Sequence, residues 1–203
     1  MVDFSKIPSP CYVLDEELLE QNLAVIDRVR REARVEVIVA LKACAMWSIF
    51  PELARHSDGA TASSAAEARL VYEEFGSPAH TYAPVYTDRN IEEILRCSSH
   101  LTFNSLNQFR RFGPRAILQG ISCGLRVNPG YSPVEVDLYN PCVAGSRLGI
   151  PAEELGELPA GVEGLHFHVL CESRPHHLRL ALEAFEERFG GLLDKVKWLN
   201  MGG

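Results

Sequence analysis

The sequence predicts an α/β fold: a (β/α)8 barrel of the TIM type, with about seven of its strands present. Short runs of strand-forming residues alternate with helical segments from residue 35 onward, the pattern of parallel strands joined by helical crossovers. The first of these runs, 35–43, is apolar on both faces, as in a strand buried inside a parallel sheet. Because a typical barrel needs about 250 residues, we expect residues 1–34 to form a lead-in strand and helix and 35–203 an incomplete barrel.

Composition and charge exclude several classes of protein. The chain is 46% hydrophobic and 23% charged, which is ordinary for a globular domain. Its net charge of −7 argues against nucleic-acid binding and mildly favours a cationic ligand. We find neither a basic-then-apolar leader nor an apolar run approaching the ~18 residues of a membrane span. The six cysteines are scattered without a C-x-x-C pair, which predicts reduced thiols in a cytoplasmic protein.

The lead-in segment contains a short extended stretch and one helix. Residues 8–14 are led in by two prolines and are expected to be extended. Asp15 is placed to cap a helix that has two glutamates in its first turn, where they complement the helix dipole. The apolar stripe of that helix consists of Leu19, Leu23, Ile26 and Val29.

The first barrel strand ends at a single lysine. Alternation along a strand places Ile38, Ala40 and Lys42 on one face. Lys42 would then stand at the carboxyl end of the strand, where barrels keep their chemistry. A desolvated, neutral lysine is a nucleophile that can form a Schiff base with pyridoxal phosphate or with a carbonyl substrate. The alternative is a lysine that extends into solvent and serves only solubility.

The remaining elements alternate between helix and strand. Capping boxes open two of the helices, at Ser64–Glu67 and Ser105–Gln108, and Asp88 is expected to cap another. A long loop rich in Pro, Gly and Asn runs from the fifth strand to Gly149, and loops of that length are usually functional. The predicted order is helix 47–55, strand 59–63, helix from 64, strand 79–83, helix from 88, strand 101–103, helix from 105, strand 121–127, strand 164–170, helix 175–189 and strand 198–201.

Two groups at strand ends are candidates for binding. His166 and His168 share one face of the sixth strand, so they could bind a metal, or one could be packed and the other functional above a flat aromatic cofactor. Gly202 and Gly203 follow the seventh strand, where a glycine loop lets backbone N–H groups approach a phosphate. An ordinary glycine turn is the alternative.

Other candidates have simple structural explanations as well. Arg126 and Arg147 could each pair with a carboxylate or a phosphate, although most arginines are solvated charges. Cys44 and Cys171 lie just past strand ends, where a buried inert thiol is the commoner finding. A metal site would need further carboxylate or histidine ligands, and none is conspicuous, so we expect no metal.

Several motifs, in order along the whole chain, resemble the alanine-racemase-fold, pyridoxal-phosphate-dependent decarboxylases, the family of ornithine, diaminopimelate and arginine decarboxylases. Within that family the similarity is closest to the carboxynorspermidine and carboxyspermidine decarboxylases. The motifs are Pro-Cys-Tyr-Val-Leu-Asp15, Ala-Leu-Lys42-Ala, Thr-Ala-Ser-Ser-Ala-Ala-Glu67, Phe-Asn-Ser105, Cys-Gly-Leu-Arg126-Val-Asn-Pro, Tyr-Asn-Pro-Cys142, Ser-Arg147-Leu-Gly, His-Phe-His168 and Gly202-Gly203.

The resemblance implies roles for five residues, four of them in these motifs. Lys42 matches the lysine that is covalently joined to the cofactor, and His168 matches the histidine stacked on the cofactor ring, so these two are the expected catalytic residues. Gly202 and Gly203 match the start of the phosphate loop. Cys171 stands where many relatives have a serine facing the phosphate. The expected cofactor-binding set is therefore these five residues with pyridoxal 5'-phosphate. Asn200, which precedes the glycines, departs from the family pattern, since many relatives have aspartate there.

The resemblance also implies what the whole protein does. It would remove the α-carboxylate of carboxynorspermidine or carboxyspermidine, small cationic substrates, to give norspermidine or spermidine in polyamine biosynthesis. Relatives are homodimers with a second, β-rich domain, which we expect to lie outside this chain, so the 203-residue piece alone should be inactive. Three alternatives stay open: a pyridoxal-phosphate-binding carrier or regulator without turnover, a decarboxylase of diaminopimelate or ornithine, and a metal-dependent hydrolase that uses His166 and His168.

Overall fold

The computed structural model describes residues 3–203, apart from the side chain of Phe4, and its centre is one parallel sheet of seven strands. The strands follow one another in the sheet in chain order, so every connection is a crossover between neighbours. Within the described residues β1 pairs only with β2 and β7 only with β6, and the sheet curls around a cavity. The predicted α/β barrel fold is confirmed. The strands are β1 Val39–Ala40, β2 Ala60–Ala62, β3 Ala79–Tyr82, β4 Ser98–Phe103, β5 Ser122–Arg126, β6 Val162–His166 and β7 Trp198–Asn200.

The helices lie between successive strands, as a (β/α) unit requires. No helix among residues 3–203 is both long and apolar enough to cross a membrane. The α-helices are α1 Glu16–Ala33, α2 Phe50–His56, α3 Ala65–Leu70, which continues into a π-helical turn Val71–Phe75, α4 Ile91–Cys97, α5 Leu106–Leu118, α6 Ala152–Leu155 and α7 Pro175–Phe189. Short 3-10 turns occur at Phe4–Lys6, Trp47–Ile49, Asp137–Tyr139 and Gly190–Lys195.

The predicted helix starts are correct where a side chain caps the helix. The carboxylate of Asp15 accepts hydrogen bonds from two backbone N–H groups of the first turn of α1. Ser64 accepts from the backbone N–H of Glu67 at 3.1 Å, and Ser105 from that of Gln108 at 3.3 Å. Both serines therefore cap their helices as predicted, but the second bond of each box differs: the side chains of Glu67 and Gln108 accept from the backbone N–H groups of Ser63 and Asn104, one residue before each cap.

The expected cap at Asp88 is wrong. Helix α4 begins at Ile91 and its N-cap is Asn90, whose side chain accepts from the backbone N–H of Thr87 at 2.8 Å. The carboxylate of Asp88 instead pairs with the guanidinium of Arg111 on α5. An ion pair across the surface has thus replaced a local cap.

Strand β1 is shorter than the predicted run 35–43. The backbone turns directly after Ala40, because the N–H of Ala43 bonds to the carbonyl of Ala40 at 3.0 Å. A strand with a neighbour on one side also forms fewer ladder hydrogen bonds than an inner strand. The predicted alternation is nevertheless present: Leu41 is buried in the core, whereas Lys42 lines the cavity from the turn beyond the strand.

Strand β6 ends at His166, four residues before the predicted end at Leu170. The neighbouring β7 ends at Asn200, and the last bond between them runs from the N–H of Phe167 to the carbonyl of Asn200 at 3.0 Å. Beyond that point, no strand among residues 3–203 pairs with the chain on this side. As a result, His168 lies in a loop just past the strand rather than within it.

The apolar core fills the space between the sheet and the helices around it. Aromatic rings dominate it, and Phe103, Phe112, Phe167, Phe185 and Phe189 are all nearly inaccessible to solvent. A second cluster joins the lead-in helix to the first strands through Leu23, which is buried with side chains of α2 and β2. This packing sets the strand ends that carry the cavity residues.

An indole on β7 crosses the inner face of the sheet. A Cβ atom on Gly164 would lie 2.0 Å from Cε2 of Trp198, and a Cβ atom on Gly124 would lie 2.2 Å from its Cη2. Trp198 Nε1 donates to the hydroxyl of Ser122 at 2.9 Å. Only glycine at positions 124 and 164 leaves room for this ring. The packed ring and its hydrogen bond to Ser122 hold β7 against its neighbours.

A carboxylate on the loop before β2 ties the lead-in helix to the barrel. Asp58 accepts hydrogen bonds from Nε of Arg30 and from the backbone N–H of Val37, each at 2.8 Å, and also from Nη2 of Arg30. The bond from Arg30 is the main cause that holds the pKa of Asp58 below its usual range. The pair links α1 to the segment that leads into β1.

Replacing Asp58 with asparagine is expected to lower the free energy of unfolding at pH 7 by about 1–2 kcal/mol, since charge-assisted hydrogen bonds become neutral ones. Because the folded-state pKa is lowered, this stabilisation is present above the unfolded pKa near 4 and is lost as pH falls through the folded pKa. Urea unfolding at pH 7 and below pH 4 checks both points. Asp88→Asn is the matched control and should change stability little, since Asp88 is exposed; an equal loss in the control would contradict the assignment.

Candidate active site

The curled sheet encloses a cavity of about 500 Å³ that reaches from the carboxyl ends of the strands into the barrel interior. Strands or strand ends from both edges of the sheet line it. All five site residues predicted from the sequence border this one cavity: Lys42, His168, Cys171, Gly202 and Gly203. Residues that are far apart in the sequence thus meet where a barrel holds its chemistry.

Lys42 lies at the mouth of the cavity with its side chain exposed. Its Nζ is 3.1 Å from Nε2 of His168. The sequence predicts that burial desolvates this amine, and this prediction is wrong. Lys42 lies in the turn beyond β1, where its side chain is exposed. The feature of its surroundings that sets it apart is the imidazole beside it.

His168 is contacted from three sides, by Lys42, Arg126 and Gly203. Its backbone carbonyl accepts from Nη2 of Arg126 at 3.0 Å, and its Nδ1 receives the backbone N–H of Gly203 at 3.3 Å. Burial, with smaller contributions from the positive charges of Lys42 and Arg126, lowers the pKa of His168 to about 4. The ring is therefore neutral at pH 7, with one donor and one acceptor nitrogen.

The glycine turn after β7 packs directly on His168. The N–H of Gly202 donates to Oδ1 of Asn200 at 2.8 Å. Gly202 has φ +69°, and a Cβ atom there would lie 2.4 Å from the carbonyl oxygen of Phe167 and 2.8 Å from Nδ1 of His168. A Cβ atom on Gly203 would meet nothing within 4 Å. Glycine is required at 202 by both conformation and space.

The two arginine candidates have different surroundings. Arg126 is buried, and it donates from Nη1 to the hydroxyl of Tyr82 at 2.6 Å, besides its bond to the carbonyl of His168. The Tyr82 hydroxyl in turn donates to Oδ1 of Asn104 at 2.9 Å. Arg147 is exposed and borders a separate groove outside the cavity. Arg126 is thus a support of the site, and Arg147 is not brought to it.

Tyr82 and Asn104 were missed by the sequence reasoning. Tyr82 is the last residue of β3, and Asn104 directly follows β4. Polar residues at the carboxyl ends of consecutive parallel strands are the signal that could have found them. Asn104 also accepts from the backbone N–H of Gly149 at 2.9 Å, so it fixes the end of the long loop.

His166 is a packed histidine. Its ring is buried, and Nδ1 donates to the backbone carbonyl of Asn200 at 3.1 Å. Burial lowers the pKa of His166 to about 3, with smaller contributions from Arg126 and His168. Within residues 3–203 no group of three or more His, Cys, Asp or Glu side chains is arranged to hold a metal ion.

Replacing His166 with glutamine should flatten the acid side of the stability profile. A buried histidine with a lowered pKa stays neutral in the folded chain while the unfolded chain takes up a proton below about pH 6.5, so its stabilisation is lost as pH falls below that value. The slope of the unfolding free energy against pH should therefore be smaller in His166→Gln by about 1.4 kcal/mol per pH unit between pH 6 and 4. Urea unfolding over this range checks it, with exposed His176→Gln as control. An unchanged slope in His166→Gln would contradict the pKa direction.

The side chains that line the cavity favour an anion and an electrophilic carbonyl. The lining contains one lysine and four histidines and no aspartate or glutamate: Lys42, His80, His100, His166 and His168. Burial keeps the pKa of His80 at about 4, and its stacking on His100 places two neutral rings deep in the barrel. Such a site can present an amine to an aldehyde and backbone groups to a phosphate, so its residues fit pyridoxal phosphate.

Comparison with curated proteins finds relatives over nearly the whole chain. The chain is 49% identical over 200 residues to a carboxyaminopropylagmatine decarboxylase from Synechocystis sp., covering 98% of this chain and 52% of the relative. It is 37% identical over 201 residues to a carboxynorspermidine/carboxyspermidine decarboxylase from Campylobacter jejuni, with coverages of 98% and 52%. The chain thus spans about half the length of these relatives. No family model matches.

Solved structures agree with this result. The crystal structure of a carboxynorspermidine decarboxylase from Campylobacter jejuni, complexed with norspermidine, superposes with a TM-score of 0.87 at 35% identity over 97% of this chain and 51% of that chain. A diaminopimelate decarboxylase from Helicobacter pylori gives 0.79 at 17% identity over 98% of this chain and 56% of that one, which shows the fold alone. These findings confirm the resemblance seen in the sequence.

Proposed function

We propose that this chain, a homologue of carboxylated-polyamine decarboxylases along nearly its whole length, belongs to a protein that removes the α-carboxylate of a carboxylated polyamine with the help of pyridoxal phosphate. The observation that carries the proposal is the convergence of Lys42, His168 and the Gly202–Gly203 turn on one cavity without acidic lining residues. The names of the relatives support the reaction, and solved structures of the same fold include a lysine decarboxylase in complex with the cofactor and cadaverine.

Each residue has a role that its geometry supports. Pyridoxal phosphate, when bound, supplies a ring that accepts the electron pair left by departing carbon dioxide. Lys42 would hold the cofactor through its Nζ, and the neutral ring of His168 would support the flat ring from one side. The backbone N–H groups of Gly202 and Gly203, which donate to Asn200 and His168 in the cofactor-free chain, would turn to the phosphate when the cofactor binds, together with the thiol of Cys171, since all three residues line the cavity.

The support around His168 would keep its ring in place during turnover. The buried guanidinium of Arg126 fixes the backbone of His168, and the hydroxyl of Tyr82 fixes the guanidinium. Before the cofactor binds, the glycine turn also contacts this ring, through the N–H of Gly203 and Nδ1. Holding a functional side chain by neighbours that are themselves hydrogen-bonded is how proteins maintain a productive geometry.

The substrate class follows from chemistry that the proposed substrates share. Carboxynorspermidine, carboxyspermidine and carboxyaminopropylagmatine each carry an amino acid group on a cationic amine tail. The cavity has no carboxylate to pair with that tail, so we infer that acidic groups outside the lining residues bind it. A second domain or a partner subunit would supply them, which is consistent with a homodimer. A cytoplasmic location, where the six thiols stay reduced, is part of the same proposal.

The test is a substrate panel with the full-length protein loaded with pyridoxal phosphate. Release of carbon dioxide is measured for carboxynorspermidine, carboxyspermidine and carboxyaminopropylagmatine, with diaminopimelate and ornithine as controls. We expect kcat/KM for at least one carboxylated polyamine to exceed the values for both control substrates by about 100-fold. The reason is that a substrate which leaves buried polar groups of the site unpaired loses several kcal/mol of transition-state binding. Cofactor binding without turnover of any substrate would indicate a carrier or regulator instead.

A further inference from the structure

The two neighbours of the His168 ring compete for one acceptor. The backbone N–H of Gly203 faces Nδ1 at 3.3 Å, and Nζ of Lys42 faces Nε2 at 3.1 Å. A neutral imidazole has one nitrogen with a proton and one with a free lone pair. A lysine ammonium has donors only, as does a backbone N–H. The ring therefore cannot accept from the turn and from an ammonium together.

The position of the ring proton decides which neighbour is satisfied. When the turn donates to Nδ1, the proton sits on Nε2 and points toward Lys42. The ring then offers the lysine no acceptor. The N–H at Nε2 can donate only to a neutral amine, which has a free electron pair. When the turn leaves Nδ1, the proton can move there, and Nε2 becomes an acceptor that holds the lysine in its charged, non-nucleophilic form.

One residue holds the turn in place. Oδ1 of Asn200 accepts from the N–H of Gly202 at 2.8 Å. The backbone of Asn200 is itself fixed, because its carbonyl accepts from the N–H of Phe167 at 3.0 Å and from Nδ1 of His166 at 3.1 Å. Asn200 thus transmits the rigid register of β6 and β7 to the glycine turn.

We propose that Asn200 is a positioning residue: by docking the Gly202–Gly203 turn on Nδ1 of His168, it keeps the ring proton on Nε2 and leaves Lys42 free to act as a nucleophile. The role adds to the proposed function, on which it rests only in taking Lys42 as the reacting amine. It concerns the cofactor-free protein and the capture of an aldehyde. Its tests use neither cofactor nor substrate. They can therefore fail while the proposed reaction stands, and the proposed reaction can fail while they succeed.

The first test locates the ring proton. The cofactor-free full-length protein is labelled with 15N histidine, and the nitrogen shifts of His168 are assigned with the help of His168→Asn. We expect the proton on Nε2 in the native protein, on Nδ1 in Asn200→Ala, and on Nε2 again in Asn200→Asp, whose side chain keeps the acceptor for Gly202. A native ring with its proton on Nδ1, or a ring unchanged in Asn200→Ala, would overturn the proposal.

The second test measures the reactivity of Lys42. Brief acetylation at pH 8 followed by mass spectrometry gives its rate relative to exposed Lys195 in the same sample. Asn200→Ala should lower that ratio about tenfold, the effect of one charge-assisted hydrogen bond. Gly202→Ala should act alike, because its Cβ atom would meet the carbonyl of Phe167 at 2.4 Å and push the turn away.

Coupling through the ring separates this role from a general structural one. In a His168→Phe background, which keeps a flat ring without nitrogens, Asn200→Ala should leave the reactivity of Lys42 unchanged. A tenfold loss in that background would show that Asn200 acts by another route and would contradict the proposal. Unfolding curves for each variant identify any that fails to fold, and Gly202→Ala then provides the second way to undock the turn.

Discussion

Replacing Lys42 with alanine in the full-length protein is expected to lower the decarboxylation rate by about 1,000-fold or more and to remove the visible absorbance of the bound cofactor. Lys42 is the lysine that borders the cavity, and its Nζ lies 3.1 Å from His168. Losing a covalent catalytic group removes an interaction that no neighbour can replace, and such losses are among the largest in enzyme kinetics. Stopped-flow absorbance and carbon dioxide release measure the two effects.

Lys42→Arg is the control for charge. Arginine keeps a positive side chain at the mouth of the cavity but has no amine that can be deprotonated at neutral pH. We expect it to be as inactive as Lys42→Ala while its free energy of unfolding stays near that of the native protein, because Lys42 is exposed. Substantial turnover by Lys42→Arg would show that the positive charge, rather than the nucleophile, matters at this position.

Replacing Gly164 with alanine is expected to lower the stability of the sheet strongly, although the change adds only one methyl group. Its Cβ atom would lie within 2.0–2.3 Å of three atoms of the Trp198 indole, a rigid ring that cannot move aside locally. Overpacking of this kind costs about 1–3 kcal/mol. Thermal unfolding should show a lower Tm, and the tryptophan fluorescence should shift as the indole leaves the inner face of the sheet.

Two further variants test the cause of that loss. Gly191→Ala lies in a 3-10 turn where a Cβ atom meets nothing within 4 Å, so it should leave Tm nearly unchanged. The double variant Gly164→Ala with Trp198→Leu should be more stable than the sum of the single losses predicts, since the clash is shared. Strict additivity would mean that the indole is not what Gly164 accommodates.

The sequence predicted the order of the elements because their local signals are strong. Ser64 and Ser105 are at helix starts where a side chain can satisfy backbone N–H groups. Helix α7 has the predicted bounds, since Pro175 begins it and Gly190 follows it. Lys42 and His168 lie just past the ends of two strands whose presence, though not their length, the hydrophobic pattern predicts, so parallel topology brings them to one edge.

What the sequence could not predict depends on neighbours far away in the chain. The end of β6 depends on where β7 stops pairing at Asn200, and Asp88, which does not cap α4, pairs with Arg111 of the next helix. The exposure of Lys42 depends on the turn after Ala40. Tyr82 joins the site through the buried Arg126, and no periodicity marks such a contact in advance. Hydrogen bonds between distant side chains are a tertiary property.

The covalent attachment of the cofactor at Lys42 is the claim on which the account depends most directly. The full-length protein is loaded with pyridoxal phosphate, reduced with borohydride, digested and analysed by mass spectrometry. We expect the peptide that contains Lys42 to carry the mass of the reduced cofactor, and Lys195 and Lys197 to remain unmodified. A stoichiometric adduct on another lysine, or none on any lysine, would contradict it.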